Sequence, residues 1–445
     1  MGLTGLDIFK QLPKTNCGDC GVPTCLAFAM KLAQKQASLD QCPHVTEDAK
    51  TALDGASAPP IKLVTIGDGE RKLAIGNETV LFRHEETFHH PTGIAVLVDD
   101  SLVEEELAAR VAAVGEVNFE RVGQTLRLDA VALQGEGDAF VKAAQVAAEK
   151  SAVPLILMNE DPTVMGKALE ACGGKKPLIH AATGENVEAM AALAKKYSCP
   201  LVAKGGDLSS LAEVSEKAQA AGATDLVLDS GARELSQVLA NETAIRRAAL
   251  RKRFRPFGFP TITFAQADDA QDELQQAASY LAKYAGIVVL RQMEPWELLG
   301  LVTVRQNIYT DPQKPIQIEE GVYEIGSPDQ NSPVLVTTNF SLTYFTVEGD
   351  VEASRVPAWA VVVDTEGTSV LTAWAAEKFT AEIIAEKVRA FDVASKVEHR
   401  KLILPGHVAV LSGKLEEELG QEWQVIVGPR ESSGIPSFLR TSWAS

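Results

Sequence analysis

The stretch Leu155-Ile156-Leu157-Met158-Asn159-Glu160 decides the fold that the sequence predicts, because four apolar residues are followed at once by two polar ones. A short, continuous apolar run is typical of a strand that is buried on both faces of a parallel sheet. Seven further runs of this kind alternate with Ala-rich helical stretches, at 94–98, 130–133, 178–180, 201–203, 226–228, 261–264 and 287–290. Eight strands that alternate with helices predict a (β/α)8 TIM barrel at residues 93–305.

Polar residues follow these strands, where barrel enzymes carry their chemistry. They are Asp99, Asp100, Gln134, Asn159, Glu160, Lys204, Asp229, Arg291 and Gln292. Two interpretations stay open, since these side chains are candidates for ligand contacts but loop ends are polar in any barrel. The same choice applies to His84, His89 and His90, which either bind a metal or decorate a connecting segment.

The composition limits the class of protein. The chain has 445 residues, enough for two or three domains, and its hydrophobic content of 46% is that of a globular protein. A net charge of −18 argues against a broad nucleic-acid surface. There is no apolar stretch of 18 residues, and residues 1–12 lack the features of a signal peptide, so we expect a cytoplasmic protein without membrane contact.

Four of the six cysteines lie among the first 42 residues, as Cys17-x2-Cys20-x4-Cys25 and then Cys42 before Pro43. Four thiolates suit either zinc or an iron-sulfur cluster. Zinc sites usually have two C-x-x-C pairs, and here there is one. Three cysteines on one loop and a distant fourth favour a 4Fe-4S cluster, with zinc as the alternative. Cys172 and Cys199 have no companion motif and are expected to be buried.

The segments around the cysteines complete a small N-terminal module. Helical spacing over 24–39 carries the chain from Cys25 towards Cys42, and 56–60 is typical of a linker. Alternating segments at 62–66, 72–75 and 79–82 then predict a hairpin connection. We therefore expect an iron-sulfur module at 1–58 and a connecting hairpin segment at 59–92.

A second α/β pattern begins near residue 331, after a predicted linker at 306–330. Strands are predicted at 334–338, 359–364, 401–404 and 423–427, with helices at 348–355, 380–391 and 408–419. This order predicts an open, doubly wound parallel sheet, whose ligands lie at the carboxyl ends of the strands.

The predicted loops at those carboxyl ends, 338–346, 365–373, 405–407 and 428–436, are rich in glycine and small hydroxyl residues. Such loops leave room for a large flat ligand with amide substituents, although turn residues alone would give a similar composition. The sequence lacks G-x-G-x-x-G and G-x-x-x-x-G-K-[ST], which disfavours a dinucleotide or a nucleoside triphosphate.

The N-terminal pattern Asn16-Cys17-Gly18-Asp19-Cys20-Gly21-Val22-Pro23-Thr24-Cys25, followed by a barrel and a small doubly wound domain, resembles the large (gamma) subunit family of the corrinoid iron-sulfur proteins. This family includes subunits of the acetyl-CoA decarbonylase/synthase complexes, and its proteins act in the reductive acetyl-CoA (Wood-Ljungdahl) pathway. The resemblance covers the whole chain. It implies that residues 331–445 form a corrinoid-binding domain that holds a cobamide.

The resemblance also implies a function, that of the methyl-carrying component of a methyltransferase system. Cobalt, as Co(I), would accept a methyl group from methyltetrahydrofolate through a partner methyltransferase and pass it to acetyl-CoA synthase. The cluster would supply electrons that reactivate Co(II), and it would receive them from a low-potential donor. A small subunit is the expected partner in a heterodimer, and no catalytic side chain is expected because the chemistry resides in the cofactor.

The predicted corrinoid pocket takes residues from the C-terminal strand ends: Phe340, Thr346, Ser369, Val370, Leu371, Thr372, Ala373, Gly406, Gly434 and Pro436. The Asp-x-His-x-x-Gly motif that places a histidine below cobalt is missing, and His407 lacks its context. We therefore expect a cobamide with a displaced lower base and no histidine ligand, with Thr372 near the lower cobalt face.

Two other functions stay open. One is an iron-sulfur reductive activator of another corrinoid protein that binds no corrinoid itself. The second is a self-contained methyltransferase whose barrel binds the pterin, with Asp99, Asn159 and Asp229 as candidate contacts. The hydroxyl-rich loops of the C-terminal domain favour the methyl carrier, since an activator needs no wide pocket.

Overall fold

The computed structural model describes residues 5–33, 37, 41–46, 59–86, 88, 90–310 and 315–443. The chain divides into two compact units. The first comprises Met1–Leu81, His89–Gly115 and Asp129–Glu294, and the second Phe82–Phe88, Glu116–Leu128 and Pro295–Ser445. Among the described residues, no helix has both the length and the apolar character of a membrane span.

Two short helices form the N-terminal module, α1 (Gly5–Gln11) and α2 (Cys25–Ala33). Apolar side chains of both helices and of the segments beside them form one small core. The helices contribute Ile8, Phe28 and Ala29, and the other segments contribute Leu12, Val22 and Val45. The helix predicted from residue 24 begins at Cys25, and most of its predicted end lies outside the described residues, as do 56–58 of the predicted linker and His89.

A hairpin follows, made of β1 (Val64–Ile66) and β2 (Leu73–Ile75). Val64, Ile66 and Ile75 are fully buried and belong to the same apolar core as the inner side chains of the barrel. Leu73 packs on Gly93, the first barrel residue, so the hairpin covers the amino end of the barrel. The third predicted segment, 79–82, forms no strand; an isolated bridge joins Ile61 and Glu78 instead.

The barrel strands lie where the apolar runs predict them. They are β3 (Gly93–Asp99), β6 (Ala130–Gln134), β7 (Leu155–Met158), β8 (Leu178–Ala182), β9 (Leu201–Lys204), β10 (Leu226–Asp229), β11 (Ile262–Phe264) and β12 (Ile287–Leu290). Between them run α3 (Glu104–Glu116), α4 (Gly137–Lys150), α5 (Pro162–Ala171), α6 (Val187–Tyr197), α7 (Leu208–Ala220), α8 (Leu235–Lys252) and α9 (Ala270–Ala282).

All eight strands are parallel in the order β10-β9-β8-β7-β6-β3-β12-β11. The two ends of this sheet meet through an isolated bridge between Leu228 and Thr261, and the Leu228 N–H donates to the Pro260 carbonyl at 2.8 Å. The barrel is thus nearly closed, as predicted. Cys172 and Cys199, which the sequence predicts to be buried, are 2% and 8% exposed.

Several elements of the second unit escaped prediction. β4 (Asn118–Arg121) and β5 (Gln124–Arg127) form a hairpin turned by Val122 and Gly123. α10 (Pro295–Tyr309) packs on it, and Arg305 donates to the Arg127 carbonyl at 2.6 Å. The stretch 306–330, predicted as a linker, contains the end of α10 and all of β13 (Gly321–Ile325). This strand pairs antiparallel with β15 (Ala358–Val363).

The C-terminal sheet has the order β13-β15-β14-β16-β17, with β14 (Val334–Thr338), β15 (Ala358–Val363), β16 (Lys401–Leu404) and β17 (Gln424–Val427) parallel. The helices are α11 (Ser341–Ser354), α12 (Val370–Ala375), α13 (Ala381–Ala390), α14 (Val393–Lys396), α15 (Ser412–Leu419) and α16 (Ile435–Phe438), with 3-10 turns at 406–411 and 432–434 and a π turn at 439–443. A further 3-10 turn, at 255–257, lies in the barrel before β11.

Alternate residues of β14 enter two separate cores. Val334 and Val336 pack on α13 and α15, whereas Leu335 packs with Tyr344 and Ile435 on the opposite face. Helices therefore cover both faces, and the crossover from β15 to β16 passes to the other side of β14. The doubly wound arrangement follows, with β13 as an added antiparallel edge.

The hairpin at the amino end of the barrel yields a stability prediction. Ile66→Ala should lower the free energy of unfolding by about 2 to 5 kcal/mol, because it opens a cavity in the shared core. Thr65→Ala is the matched control, since Thr65 is exposed on the same strand. Chemical denaturation followed by circular dichroism measures both. An equal, small effect of the two substitutions would show that the hairpin does not contribute to the core.

Candidate functional site

The cysteine loop lies at the start of α2. Cys17 is exposed and Cys20 half-buried, while Cys25 and Cys42 are buried in the core of the N-terminal module. Left-handed backbone at Asn16, Gly18 and Gly21 makes the loop tight, and the Gly21 N–H donates to the Gly18 carbonyl at 2.9 Å. Four thiols gathered in one small module are the donor set that a cubane cluster takes. The residues fit such a cluster.

Polar contacts hold two of these cysteines. The Asn16 N–H donates to the Cys25 Sγ at 3.4 Å, and the Asn16 Oδ1 accepts the Cys25 N–H at 2.8 Å. At the exposed corner, the Asp19 carboxylate lies 2.7 Å from His44 Nε2. Hydrogen bonds from His44 and then Cys17 lower the pKa of Asp19 below its usual value.

Asp19 and His44 were not predicted as site residues, although both lie within two positions of a cysteine. One potential ligand atom each from Cys17, Asp19 and His44 lies within 4.8 Å of the others, close enough for a single metal ion. The other three cysteines are outside this set. A metal ion held by this set would use only one of the four cysteines that the sequence predicts as ligands.

The barrel has a polar cavity of about 850 Å³ at the carboxyl ends of its strands. Six of the predicted polar residues line it: Asp99, Asp100, Gln134, Asn159, Glu160 and Lys204. Several of these side chains bind other residues of the loops at the strand ends. Asp100 accepts the Glu136 N–H at 2.9 Å, Asn159 binds the backbone of Gly135 and Asp161, and Lys204 pairs with Glu160. Arg291 and Gln292 instead contact Asp268.

A charged network lies at the floor of this cavity. Asp229 is fully buried, and its carboxylate meets both guanidinium nitrogens of Arg233 at 2.9 and 3.0 Å and His180 Nε2 at 3.0 Å. Burial opposes ionisation of Asp229, but hydrogen bonds from His180 and Arg233 hold its pKa well below the usual range. The Arg233 guanidinium also lies over the Phe264 ring, 4.3 Å from its centroid.

His180 and Arg233 were missed in the sequence. His180 lies inside a predicted strand, where an apolar core was expected, and Arg233 lies in a loop with no motif around it. Pairing of the barrel strands brings His180 to Asp229, whereas Arg233 lies only four residues after Asp229 in the sequence. Of the predicted histidines, His84 stacks on Phe82 with ring centroids 5.5 Å apart.

The C-terminal unit has a cavity of about 330 Å³ at the carboxyl ends of its sheet. Four of the ten predicted pocket residues line it: Thr346, Ser369, Val370 and Leu371. The remaining walls come from residues that were not predicted, among them Leu335, Thr337, Ile403 and His407. Their side chains come from strand faces and from the 3-10 turn, which the choice of loop residues ignored.

The other six predicted pocket residues do not line this cavity. Phe340 precedes α11, and Thr372 Oγ1 lies 3.1 Å from Ser369 Oγ. Ala373 is fully buried in the core, and Pro436 lies in α16. Gly406 and Gly434 lie against the segment 428–430, where a side chain at either position would clash. The stretch 370–373, predicted as a loop, is the start of α12.

In the described part of the C-terminal unit, three buried hydroxyl groups have no hydrogen-bond partner: Thr337, Thr338 and Ser341. Their residues are at most 2% exposed, and Thr337 lines the cavity. Buried polar groups without partners are rare in proteins, so these hydroxyls indicate a missing polar partner. Nearby, Asn339 Oδ1 accepts the N–H groups of Thr365 and Gly367, both at 3.0 Å, and fixes the loop before α12.

Comparison with known proteins decides the family. The family model described as "CO dehydrogenase/acetyl-CoA synthase delta subunit" matches residues 63–439, and the one described as "Putative Fe-S cluster" matches 12–44, a range that includes all four N-terminal cysteines. The corrinoid/iron-sulfur protein large subunit of Moorella thermoacetica is 52% identical over 448 residues, covering 100% of both chains. The chain belongs to the corrinoid/iron-sulfur protein large-subunit family.

Archaeal relatives of this corrinoid/iron-sulfur family extend the match. The acetyl-CoA decarbonylase/synthase complex subunit gamma of Methanothermobacter thermautotrophicus is 39% identical over 455 residues, with 99% of each chain covered. Among solved structures, the dihydropteroate synthase of Thermus thermophilus has a TM-score of 0.39 and 14% identity, covering 56% of this chain and 100% of that chain. A similarity this low supports no conclusion about function.

The charged network under the barrel cavity yields a prediction. Asp229→Ala should lower the free energy of unfolding by about 3 to 5 kcal/mol, because it leaves Arg233 and His180 without their buried partner. Since the folded pKa of Asp229 lies below the unfolded one, its contribution is present above the ordinary Asp pKa and is lost as the pH falls towards the folded value. Urea titrations between pH 7 and pH 3 measure both effects.

Asp268→Ala is the control, since Asp268 pairs with Arg291 while its own side chain is 99% exposed. This variant should unfold like the parent at every pH. A similar loss for both variants, or a loss at Asp229 that does not shrink on acidification, would contradict the assigned role of the network.

Proposed function

We propose that this chain is the methyl-carrying subunit of a corrinoid iron-sulfur protein, with a cobamide in the C-terminal unit and a 4Fe-4S cluster in the N-terminal module. When bound, the cobamide would supply a Co(I) centre that takes a methyl group from methyltetrahydrofolate through a partner methyltransferase and gives it to acetyl-CoA synthase. The cluster would supply electrons that return Co(II) to Co(I). The single observation that carries the proposal is the C-terminal cavity, which is lined by the unpartnered hydroxyl of Thr337.

The residues of the C-terminal cavity suit a corrinoid in two ways. Apolar side chains such as Leu335, Ile403 and Leu371 offer contact to a large ring system, and Thr337, Thr343 and Ser369 offer hydroxyls to its amide substituents. The proposal keeps Thr346, Ser369, Val370 and Leu371 as contact residues. Phe340, Thr372, Ala373, Gly406, Gly434 and Pro436 stay in the proposed set as residues that shape the surrounding loops.

The proposal also assigns the cluster ligands and a role for His407. Cys17, Cys20, Cys25 and Cys42 would hold the cluster. His407 lines the C-terminal cavity and lies 3.4 Å from a Glu431 carboxylate oxygen, so it has a partner within the protein. We propose that it is not a cobalt ligand. The proposed partners are a small subunit in a heterodimer, the methyltransferase, acetyl-CoA synthase and a low-potential electron donor.

The test is an anaerobic ultraviolet-visible spectrum, with iron and cobalt analysis, of the complex purified with its native small subunit. About four irons and one cobalt per complex are expected. A Co(I) band should appear with a low-potential reductant and disappear on addition of a methyl donor with the methyltransferase. Iron without cobalt, in a preparation that takes up no cobamide, would contradict the methyl carrier and favour the reductive activator.

The unpartnered hydroxyl of Thr337 yields a sharper prediction. Thr337→Val should raise the free energy of unfolding of the cobamide-free protein by about 1 kcal/mol, because it removes a buried polar group that has no partner. The same substitution should weaken cobamide binding, since it removes a hydrogen bond to the ligand. Denaturation without cobamide and cobamide titration measure the two effects.

Thr380→Val is the matched control. The Thr380 hydroxyl accepts the Ile383 N–H at 3.4 Å and caps α13, so its loss should destabilise the protein by about 1 kcal/mol and leave cobamide binding unchanged. If Thr337→Val bound cobamide as well as the parent does, the hydroxyl would have no role in the proposed pocket.

A further inference from the structure

Asn16 contacts Cys25 in two ways, although it is not among the four cysteines of the loop. Its side-chain oxygen accepts the Cys25 N–H at 2.8 Å, and its own N–H donates to the Cys25 Sγ at 3.4 Å. The two residues are nine positions apart, so these contacts close the whole loop that carries Cys17 and Cys20. A single residue thus joins the two ends of the three-cysteine segment, through its side chain and its backbone N–H.

The first contact completes the start of α2. The first N–H groups of a helix have no partner inside it, and Cys25 is the first residue of this one. Thr24 Oγ1 accepts the Ala27 N–H at 3.1 Å, and Asn16 Oδ1 satisfies the N–H of Cys25 itself. The backbone of Cys25 is therefore held from outside the helix. This fixes the point from which its thiol projects.

The second contact depends on the backbone of Asn16. Its φ of 51° lies in the left-handed region, which asparagine enters more readily than most residues other than glycine. In this conformation the Asn16 N–H points at the Cys25 sulfur while the side chain reaches the Cys25 N–H. Hydrogen bonds to cluster sulfurs stabilise the added negative charge of the reduced state and thereby raise the reduction potential.

We propose that Asn16 is a positioning residue of the cluster, which fixes Cys25 through its side chain and raises the reduction potential through its N–H. This inference rests on the proposed function, because it requires that the cysteines hold an iron-sulfur cluster. Substitution of a residue that orients a metal ligand typically lowers metal affinity by about 10- to 100-fold. Asn16 acts on the cluster through Cys25 and touches no substrate.

The test compares Asn16→Gly and Asn16→Asp in the complex with the native small subunit, handled without oxygen. Glycine keeps the left-handed backbone but loses the side-chain oxygen, so cluster iron should pass to a chelator about tenfold faster. Without the side-chain contact, Cys25 would no longer be held against the N–H of residue 16, so the midpoint potential should shift to more negative values and the electron paramagnetic resonance spectrum of the reduced cluster should broaden. Aspartate keeps the accepting oxygen, so this variant should release iron at the parental rate.

Asn77→Gly is the matched control, because Asn77 is an exposed asparagine with a φ of 59° in the segment before the barrel. It should match the parent in iron release, potential and spectrum. If Asn16→Gly also matched the parent in all three, the inference would be overturned while the proposed function stood. If the parent complex held no iron-sulfur cluster, the proposed cluster and this inference would both be overturned.

Discussion

Closure of the barrel is the constraint on which the first unit depends. Strands buried on both faces must satisfy their backbone groups through neighbouring strands, and the ring of eight leaves one seam, between β10 and β11. The backbone joins that seam through the bridge at Leu228 and Thr261. Side chains strengthen it, since Asp229 of β10 holds Arg233, whose guanidinium lies on Phe264 of β11.

At the opposite end of the same seam, the Thr261 hydroxyl donates to the buried Glu242 carboxylate at 2.6 Å. Burial raises the pKa of Glu242 to about 7, partly offset by that hydrogen bond. Polar side chains therefore lie at both ends of the seam between β10 and β11. The charged network under the barrel cavity therefore contributes to closure of the barrel. This role supports the structural interpretation of the polar strand ends over a pterin site.

Sequence reasoning succeeded where one physical property determined the element. Continuous apolar runs gave the barrel strands, because a strand covered on both faces tolerates little else. It failed where pairing partners supply the stability. β4 and β5 each contain a single apolar residue, Phe119 and Leu126, and β13 gains its place from β15, so none of these strands stands out in the sequence. α12 is only six residues long and was taken for a loop.

The sites follow the same division. Cysteine spacing is a local signal, and it located the candidate cluster ligands without any knowledge of tertiary structure. The C-terminal cavity is made by side chains from separate strands, such as Leu335 and Ile403, so loop composition identified only part of its lining. The contacts of Asn16 and the network around His180 required coordinates, because their partners are 9 and 49 residues away in sequence.

Burial of the two barrel cysteines limits their reactivity. Burial raises the pKa of the Cys172 thiol to about 11 and that of the Cys199 thiol to about 12. At neutral pH only about one molecule in ten thousand would carry a thiolate at Cys172, and fewer at Cys199. Iron, oxidants and alkylating reagents all react with thiolates. Burial in the barrel therefore makes both thiols poor targets for all three.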